Sequence, residues 1–275
     1  MSISRRQLLL GLGVPATIAL GYGRYVEPSW LDQTEKHVKL RGRSLRRPLR
    51  ILHLSDLHVS RYVPSSFLKS AFELGAATKP DLICLTGDYV TVGESFDSPS
   101  YEKALRWLAS IAPTYAVFGN HDGGVFGGLP TNNYVGSLLN RAGISILHNQ
   151  SQFLDIGGLR LRLAGVGDLW MHEVDAEGAF SLTGVSDLTI ILNHNPDAKM
   201  FFGQFPWDLM LCGHTHGGQV RIPLIGAPYA PVKDRRYVQG LLDFGKGQIH
   251  ITRGVGNLER IRFNCRPEVS LLVVG

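Results

Sequence analysis

The chain has 275 residues, of which 44% are hydrophobic and 19% are charged, and its formal net charge at pH 7 is +5. This composition is typical of a globular protein with a sizeable buried core. The sequence shows no fixed-period repeat and no low-complexity tract, so a solenoid or a disordered chain is not expected. No long basic stripe with interleaved aromatic residues is present, so nucleic acid is not an expected partner.

The N-terminus carries a targeting pattern. Arg5 and Arg6 precede a stretch without charged side chains from Leu8 to Gly23, which resembles a twin-arginine export signal. Pro15 and four glycines make this stretch a poor spanning helix, because roughly 20 apolar residues are usual. We predict a targeting or anchor segment at residues 1–25. The outer face of the inner membrane is favoured, and an uncleaved anchor on the cytoplasmic face is the alternative.

Residues 26–47 are predicted to be a basic linker. Much of the positive charge lies here and just beyond, at Lys36, Lys39, Arg41, Arg43, Arg46, Arg47 and Arg50. A basic run after an apolar segment suits an anionic membrane surface, and a solvated linker is the alternative interpretation.

The first half of the remaining chain alternates between strands and helices. Apolar runs predict strands at 49–54, 81–86 and 114–118, and helical spacing predicts helices at 66–78 and 101–111. This order implies parallel strands joined by right-handed crossovers.

The second half is rich in strands. A helix is predicted at 133–142 and a short one at 197–202, with strands at 145–147, 152–156, 159–165, 188–192, 208–211, 248–252 and 269–274. Two mixed sheets packed face to face, with helices on both outer surfaces, fit this order. We therefore predict an α/β domain over residues 48–275.

Polar blocks follow five of the predicted strands. Asp56 and His58 come two apart after the first strand, so in extended geometry both side chains point the same way and can bind one cation. Asp88 follows Gly87 at the next strand, where its two carboxylate oxygens can bridge two cations. Taken alone, each of these two blocks is typical of an ordinary turn. The metal-binding interpretation is supported only by the presence of the other blocks.

The third block reads Gly119-Asn120-His121-Asp122. The amide oxygen of Asn120 is a neutral, hard ligand that suits a site in which another anion would add too much charge. His121 cannot easily bind the same ion as its neighbour, and it is better placed to donate a proton.

The block from Gly213 to Gly218 is the strongest single signal, because His214 and His216 lie two apart among glycines and can serve two adjacent metals. His194, at another strand end, supplies a further imidazole. The three cysteines show no C-x-x-C spacing, and no thiolate is expected in the site. Imidazole, carboxylate and amide ligands favour two divalent ions, with manganese first and iron or zinc as alternatives.

The order D-x-H, G-D, G-N-H-D, H, G-H-T-H resembles that of the calcineurin-like metallophosphoesterases over roughly residues 48–275. The runs 211–223, 193–197 and 252–256 are most similar to the YaeI/YkuE-type bacterial branch. The resemblance implies a four-layer α/β/β/α sandwich with Asp88 bridging two metals and His121 protonating the leaving oxygen. The implied ligands are Asp56, His58, Asp88 and His216 for the first metal, and Asp88, Asn120, His194 and His214 for the second.

The expected function is phosphodiester or pyrophosphate hydrolysis by metal-bound hydroxide. Protein phosphatases of this superfamily continue their G-D block as G-D-x-x-D-R-G, but Thr91 and Val92 stand where Asp and Arg would be, so protein phosphatase activity is not expected.

The branch also resembles UDP-2,3-diacylglucosamine pyrophosphatases of lipid A synthesis, which implies a lipid-linked substrate at a membrane. We expect a monomer. The alternative is a non-catalytic metal-bearing binding module at the cell envelope.

Three arginines, Arg221, Arg253 and Arg262, are candidates for binding a substrate phosphate, and ordinary ion pairing is the alternative for each.

Overall fold

The computed structural model describes residues 17–42, 44–123 and 132–275. Most of the predicted targeting segment, residues 1–16, lies outside the described residues, and residues 17–25 form a helix, α1. None of the described helices has both the length and the apolar character that crossing a membrane requires.

Six strands of the described chain form the first sheet. In spatial order they are β1 (Asp32–Val38), β12 (Glu268–Val274), β2 (Leu49–Leu54), β3 (Leu82–Thr86), β4 (Thr114–Val117) and β5 (Ser145–Ile146). Only the pair of β12 and β2 is antiparallel. The helices α2 (Ser65–Ala76), α3 (Ser98–Ala109) and α4 (Asn132–Arg141) connect β2 to β5, as the alternating sequence predicts.

Another six strands of the described residues form the second sheet. Their order is β10 (Gly240–Phe244), β11 (Gly247–Ile251), β9 (Leu209–Cys212), β8 (Leu188–Leu192), β7 (Leu159–Gly165) and β6 (Gln150–Ile156). Its outer face is covered by the short helix α5 (Ala176–Phe180) and the 3₁₀ helix Pro196–Phe201.

Three apolar cores separate four layers. Between the sheets, Ile51 and Cys84 pack in one cluster with Ile190 and Leu211. Separate cores join the first sheet to α2, α3 and α4, and the second sheet to α5 and the 3₁₀ helix. The predicted α/β/β/α sandwich with two mixed sheets is therefore confirmed. All three cysteines are buried and unpaired.

The prediction of a basic linker at residues 26–47 is wrong in part, because these residues contain the strand β1. This strand pairs in parallel with β12 from Asp32 to Val38, so the first sheet begins before residue 48. It lies at the sheet edge with alternately exposed side chains, and its sequence of mostly polar residues gives no apolar run to detect. The strand β10 and the helix α5 are too short, or too weakly apolar, to be recognised in the same way.

The basic run lies at the end of the sandwich where β2, β3 and β11 begin. Arg47 is 3.1 Å from Asp81, and Arg41 is 3.4 Å from Asp243. Arg50 donates to the Thr78 carbonyl at 2.7 Å. Much of this charge therefore stabilises the fold locally, at the end of the sheets opposite to the carboxyl ends of these strands.

Candidate metal centre

The carboxyl ends of five strands meet at one edge of the sandwich. The strands β2, β3 and β4 of the first sheet lead to Asp56, Asp88 and Asn120, and β8 and β9 of the second sheet lead to His194 and His214. A bifurcated hydrogen bond joins the two sheets here, because the two carboxylate oxygens of Asp56 accept the backbone N–H of His214 at 3.0 and 3.1 Å. Residues far apart in sequence are thus brought into contact by the sandwich.

Four of the predicted ligands form a buried cluster. One donor atom from each of Asp56, His58, Asp88 and His216 lies within 4.8 Å of the other three. The Nε2 atoms of His58 and His216 are 3.1 Å apart. His58 Nε2 is 3.4 Å from Asp88 Oδ2, and His216 Nε2 is 3.3 Å from Asp56 Oδ1. Two carboxylates and two imidazoles that converge in this way fit one divalent cation.

The remaining predicted ligands are Asn120, His194 and His214. His194 Nε2 faces Asp88 Oδ2 at 3.2 Å without the alignment of a hydrogen bond, and the rings of His194 and His214 have centroids 5.0 Å apart. Within the described chain, the buried atoms Asn120 Oδ1 and His214 Nε2 have no hydrogen-bond partner. Unsatisfied buried polar atoms cost about 1–3 kcal/mol each. The donor set therefore fits a second cation that shares Asp88 with the first.

The tautomer of His194 is set by its surroundings. Its Nδ1 lies 2.6 Å from the carbonyl oxygen of Thr86, which can only accept, so Nδ1 carries a proton. In the neutral ring this leaves the lone pair on Nε2, the atom that faces Asp88. A carbonyl that orients an imidazole in this way is a common support for a metal ligand.

Left-handed backbone conformations are concentrated in the site. Five non-glycine residues there have φ between 45° and 68°, namely Asp56, His58, Asp88, His214 and His216. Such conformations are uncommon for residues other than glycine and cost about 1–3 kcal/mol each when strained. The fold holds the side chains in a geometry that the local sequence alone would not favour.

The glycines of the motifs allow the strand ends to approach closely. A Cβ atom on Gly213 would lie 2.0 Å from Ser55 Oγ and 2.2 Å from Asp56 Oδ2. One on Gly119 would lie 2.3 Å from Asp88 Oδ1. Neither position can carry a larger residue without displacing a predicted ligand.

The charge state of the site suits cation binding. Burial alone would raise the pKa of Asp88, but the neighbouring His194 and His121 hold it well below its usual value. Burial lowers the pKa of His216 well below its usual value and, with the charge of His194, lowers that of His214 to about 3. The centre therefore combines an ionised Asp88 with neutral imidazoles at His214 and His216, whose lone pairs can bind a metal. Burial would lower the pKa of His194, but the Asp88 carboxylate raises it well above its usual value, so a cation bound at His194 Nε2 would replace a proton.

His121 borders the same centre. Its backbone N–H donates to Asp88 Oδ1 at 2.9 Å, and its ring centroid is 4.9 Å from that of His58. Its half-buried ring lines a pocket of about 150 Å³ together with Asn120 and His214. Burial lowers the pKa of His121, which makes its imidazolium a stronger acid than that of free histidine.

Several contributing residues were not predicted from the sequence. Thr91 Oγ1 lies 3.4 Å from His58 Nδ1, and the ring of Trp170 meets the ring of His214 edge to face at 4.3 Å. Trp170, Tyr229 and Leu258 also line the pocket. Their positions in irregular loops give no sequence signal, whereas Thr91 lies three residues beyond Asp88 and could have been considered.

Two of the three candidate phosphate-binding arginines have structural roles. Arg262 is fully buried and donates to the carbonyl oxygens of Arg253, Gly254 and Cys265. Arg253 pairs with Asp32 at 2.7 Å and with Glu268 at 3.1 Å. Of the described residues that line the pocket, none is lysine or arginine. The part of the pocket lining that the structure describes therefore offers a phosphate group neither a guanidinium nor an ammonium partner.

Comparisons with known proteins agree with this arrangement. The sequence model of the family described as "Calcineurin-like phosphoesterase" matches residues 49–218. The chain is 45% identical to "Phosphodiesterase YaeI" of Escherichia coli (strain K12) over 98% of both chains. It is 32% identical to "Uncharacterized metallophosphoesterase YkuE" of Bacillus subtilis (strain 168), over 99% of this chain and 98% of the relative. It is 25% identical to "UDP-2,3-diacylglucosamine pyrophosphatase LpxG" of Chlamydia muridarum (strain MoPn / Nigg), over 91% of each.

Proposed function

The chain belongs to the calcineurin-like phosphoesterase family, and from this premise we propose that it hydrolyses phosphodiester or pyrophosphate bonds at a dinuclear metal centre. The resemblance drawn from the sequence motifs is confirmed, and the protein is a metallophosphoesterase, a hydrolase with a phosphodiesterase relative at 45% identity. The dinuclear centre, the roles of the residues and the substrate are the proposal.

The first cation site is proposed to consist of Asp56, His58, Asp88 and His216, and the second of Asp88, Asn120, His194 and His214. When bound, two divalent cations lower the pKa of coordinated water towards neutrality and neutralise charge on the phosphoryl oxygens. Manganese is the proposed metal, with iron and zinc as alternatives, because the donor set contains no thiolate.

The chain's own residues supply positioning and a proton. Asn120 and His121 lie side by side on the wall of the pocket, where they can face the phosphoryl group. Asn120 helps to stabilise charge on the phosphoryl oxygens. The imidazole of His121 donates a proton to the leaving oxygen, which matters most when the leaving group is a poor one.

The single observation that carries this proposal is the shared position of Asp88. Its Oδ2 lies 3.4 Å from His58 Nε2 and 3.2 Å from His194 Nε2, so one buried carboxylate faces both halves of the donor set. A carboxylate between two groups of imidazoles is the arrangement that a bridged pair of cations requires.

A lipid-linked pyrophosphate such as UDP-2,3-diacylglucosamine is the proposed substrate. The relative from Chlamydia muridarum carries that activity in its name. The pocket beside Asn120 and His121 is bordered by Trp170, Tyr229 and Leu258, side chains that suit a ligand with both polar and apolar parts.

The experiment that tests the proposal starts from the purified, metal-stripped chain. Manganese, iron(II) or zinc is added, and hydrolysis of bis(4-nitrophenyl) phosphate is compared with hydrolysis of UDP-2,3-diacylglucosamine in detergent. We expect both to be cleaved with manganese and the pyrophosphate to have the higher kcat/KM. Metal binding without hydrolysis of either compound would instead favour a non-catalytic binding module at the cell envelope.

We also propose that residues 1–25 direct the chain to the membrane, with the domain on the outer face of the inner membrane and as a monomer. Protease accessibility in intact spheroplasts tests the side, and light scattering after size-exclusion chromatography tests the monomer. Protection from the protease would place the domain on the cytoplasmic face.

A further inference from the structure

A hairpin turn beside the candidate metal centre carries an exposed aliphatic tip. Reciprocal backbone hydrogen bonds of 2.8 Å between Ile222 and Gly226 close the turn. At its tip, the side chain of Leu224 is fully exposed and that of Ile225 is 71% exposed. Two adjacent aliphatic residues held out into water by an ordered turn indicate a surface that another apolar phase covers.

The helix α1 lies next to this turn. The adjacent residues Arg262 and Phe263 contact both the turn and the helix. The carbonyl oxygen of Phe263 accepts the backbone N–H of Arg221, and the backbone N–H of Arg262 donates to the carbonyl oxygen of Gly23, each at 2.9 Å. The side chains of Ile18 and Leu20 on α1 are 67% and 74% exposed. We call this surface the apolar rim and define it as Ile18, Leu20, Ile222, Leu224, Ile225 and Ile261.

Three arginines, Arg24, Arg221 and Arg260, flank the apolar rim. Arg24 donates to the Arg260 carbonyl at 3.1 Å, and Arg221 donates to the Gly217 carbonyl at 3.4 Å. The guanidinium of Arg260 lies 5.6 Å from the ring centroid of Tyr25. Over the ranges that the structure covers, none of these three arginines forms an ion pair, although the exposed Glu259 is adjacent to Arg260. Their positive charge is available to an anionic surface.

The apolar rim also adjoins the pocket of the candidate metal centre. Tyr229, which follows the hairpin turn, lines that pocket together with Asn120 and His214. Leu258 lines the pocket and a neighbouring cavity of about 640 Å³, which reaches Arg24 and Ile261. The pocket and this cavity therefore share a wall at Leu258, and the cavity borders the apolar rim at Ile261.

The sequence before α1 adds a further argument. Residues 8–16 contain no charged side chain and join directly to α1, so this uncharged stretch enters the described structure at the apolar rim. The basic run near Arg41 and Arg47 is at the other end of the strands, roughly 20 Å away along a six-residue strand. The apolar rim thus combines exposed aliphatic side chains with neighbouring arginines, and an uncharged stretch precedes it in the sequence.

We propose that the apolar rim docks on an anionic lipid bilayer, with Leu224 and Ile225 inserted at the level of the head groups and Arg24, Arg221 and Arg260 against lipid phosphates. The docking itself does not depend on catalysis. Its consequence, that the pocket of the metal centre opens towards a lipid-linked substrate, rests on the proposed function.

A single-site fluorescent label tests the insertion directly in the full chain. The native cysteines are all buried, so Leu224→Cys can be labelled selectively with the environment-sensitive dye NBD. Val185→Cys is the matched control, because Val185 is 83% exposed and lies just before β8, at the opposite end of the strands. With phosphatidylcholine–phosphatidylglycerol vesicles, we expect emission from the Leu224 label to rise and shift to the blue while the control is unchanged. No change at Leu224, or an equal change at both sites, would overturn the proposal.

Vesicle flotation of the double variant Leu224→Asp and Ile225→Asp provides a second test. We expect vesicle binding about tenfold weaker than for the parent or for Val185→Asp, since two aliphatic side chains are lost from the interface. Hydrolysis of bis(4-nitrophenyl) phosphate is expected to stay at the parent rate, which separates docking from catalysis. If the double variant floated as well as the parent, docking through this turn would be contradicted, whether or not the enzyme is active. If the parent were inactive but its flotation still depended on Leu224 and Ile225, only the proposed function would be refuted.

Discussion

The carboxylate of Asp122 accepts the backbone N–H of Asp88 at 2.7 Å. It also accepts the N–H groups of Tyr89 at 2.9 Å and Gly119 at 2.8 Å. One fully buried side chain therefore joins the loop after β3 to the loop after β4, the two loops that bring Asp88 and Asn120 into the site. Asp122 thus acts by positioning the predicted ligands.

Asp122→Asn is expected to lower the free energy of unfolding by about 2–4 kcal/mol, because the amide replaces one of two oxygens and leaves a buried N–H without its acceptor. Urea unfolding of the metal-free protein measures the loss. Asp155→Asn is the matched control, since Asp155 accepts the Gly158 N–H in an exposed turn, and there we expect a change below about 1 kcal/mol. If Asp122→Asn and Asp155→Asn had the same free energy of unfolding, the positioning role of Asp122 would be contradicted.

Gly213→Ala is expected to displace Asp56, because the new Cβ would overlap Ser55 Oγ and Asp56 Oδ2. Overpacking of this kind costs about 1–3 kcal/mol, and we expect weaker binding of manganese as well. Gly203→Ala is the control, since no atom lies within 4 Å of its Cβ position. Isothermal titration with manganese and thermal unfolding make the comparison, and parent-like affinity in Gly213→Ala would contradict the close approach of the strand ends.

Asp88→Asn is expected to reduce hydrolysis of bis(4-nitrophenyl) phosphate by about 10³-fold or more, since both proposed cations lose a shared anionic ligand. Metal content measured by plasma emission spectroscopy should fall in the same variant. Asp155→Asn should retain both activity and metal. A variant at Asp88 that kept its metal and its turnover would show that the carboxylate does not bridge.

His121→Ala is expected to keep its bound metal but to lose about 10²- to 10⁴-fold in kcat on substrates with poor leaving groups, because the proposed proton donor is removed. Substrates with a nitrophenolate leaving group should be affected much less. His37→Ala, on the exposed edge strand β1, serves as the control. If the loss were the same for good and poor leaving groups, His121 would have another role.

Glu268 gives the fold a dependence on pH that is separate from the metal centre. Burial would raise the pKa of Glu268, but Arg253 and further partners hold it at about 2 in the folded protein. Because the folded-state pKa lies below the unfolded value of about 4.3, the stabilisation is complete above the unfolded pKa and is lost as the pH falls towards 2.

Glu268→Gln is therefore expected to be destabilised by about 3 kcal/mol at pH 6, and the difference from the parent should shrink steadily between pH 5 and pH 3. Urea unfolding at several pH values measures it. A difference that stayed constant over this range would show that the ion pair with Arg253 is not its source.

Much of the fold follows from periodicity in the sequence. The strands β2, β7 and β8 have the bounds that their apolar runs predict, and the other predicted elements are displaced by one to three residues at one or both ends. The edge strand β1 could not be found, because its pairing with β12 depends on a partner more than two hundred residues away rather than on its own apolar content.

The site was predictable as a set of residues but not as an arrangement. Strand ends bearing Asp56, Asp88 and His194 indicate one shared edge, and the structure brings these side chains together. The left-handed φ of Asp88 and the edge-to-face contact of Trp170 with His214 arise only when both sheets are packed. Long-range contacts of this kind have no local signature in the chain.

The central claim is that one buried carboxylate, Asp88, lies between two cations. The most direct measurement is anomalous diffraction from crystals of the full chain grown with manganese. We predict two peaks about 3.5–4 Å apart on either side of Asp88, one within reach of His58 and His216 and the other within reach of His194 and His214. A single peak away from Asp88, or none in this cluster, would contradict the dinuclear centre.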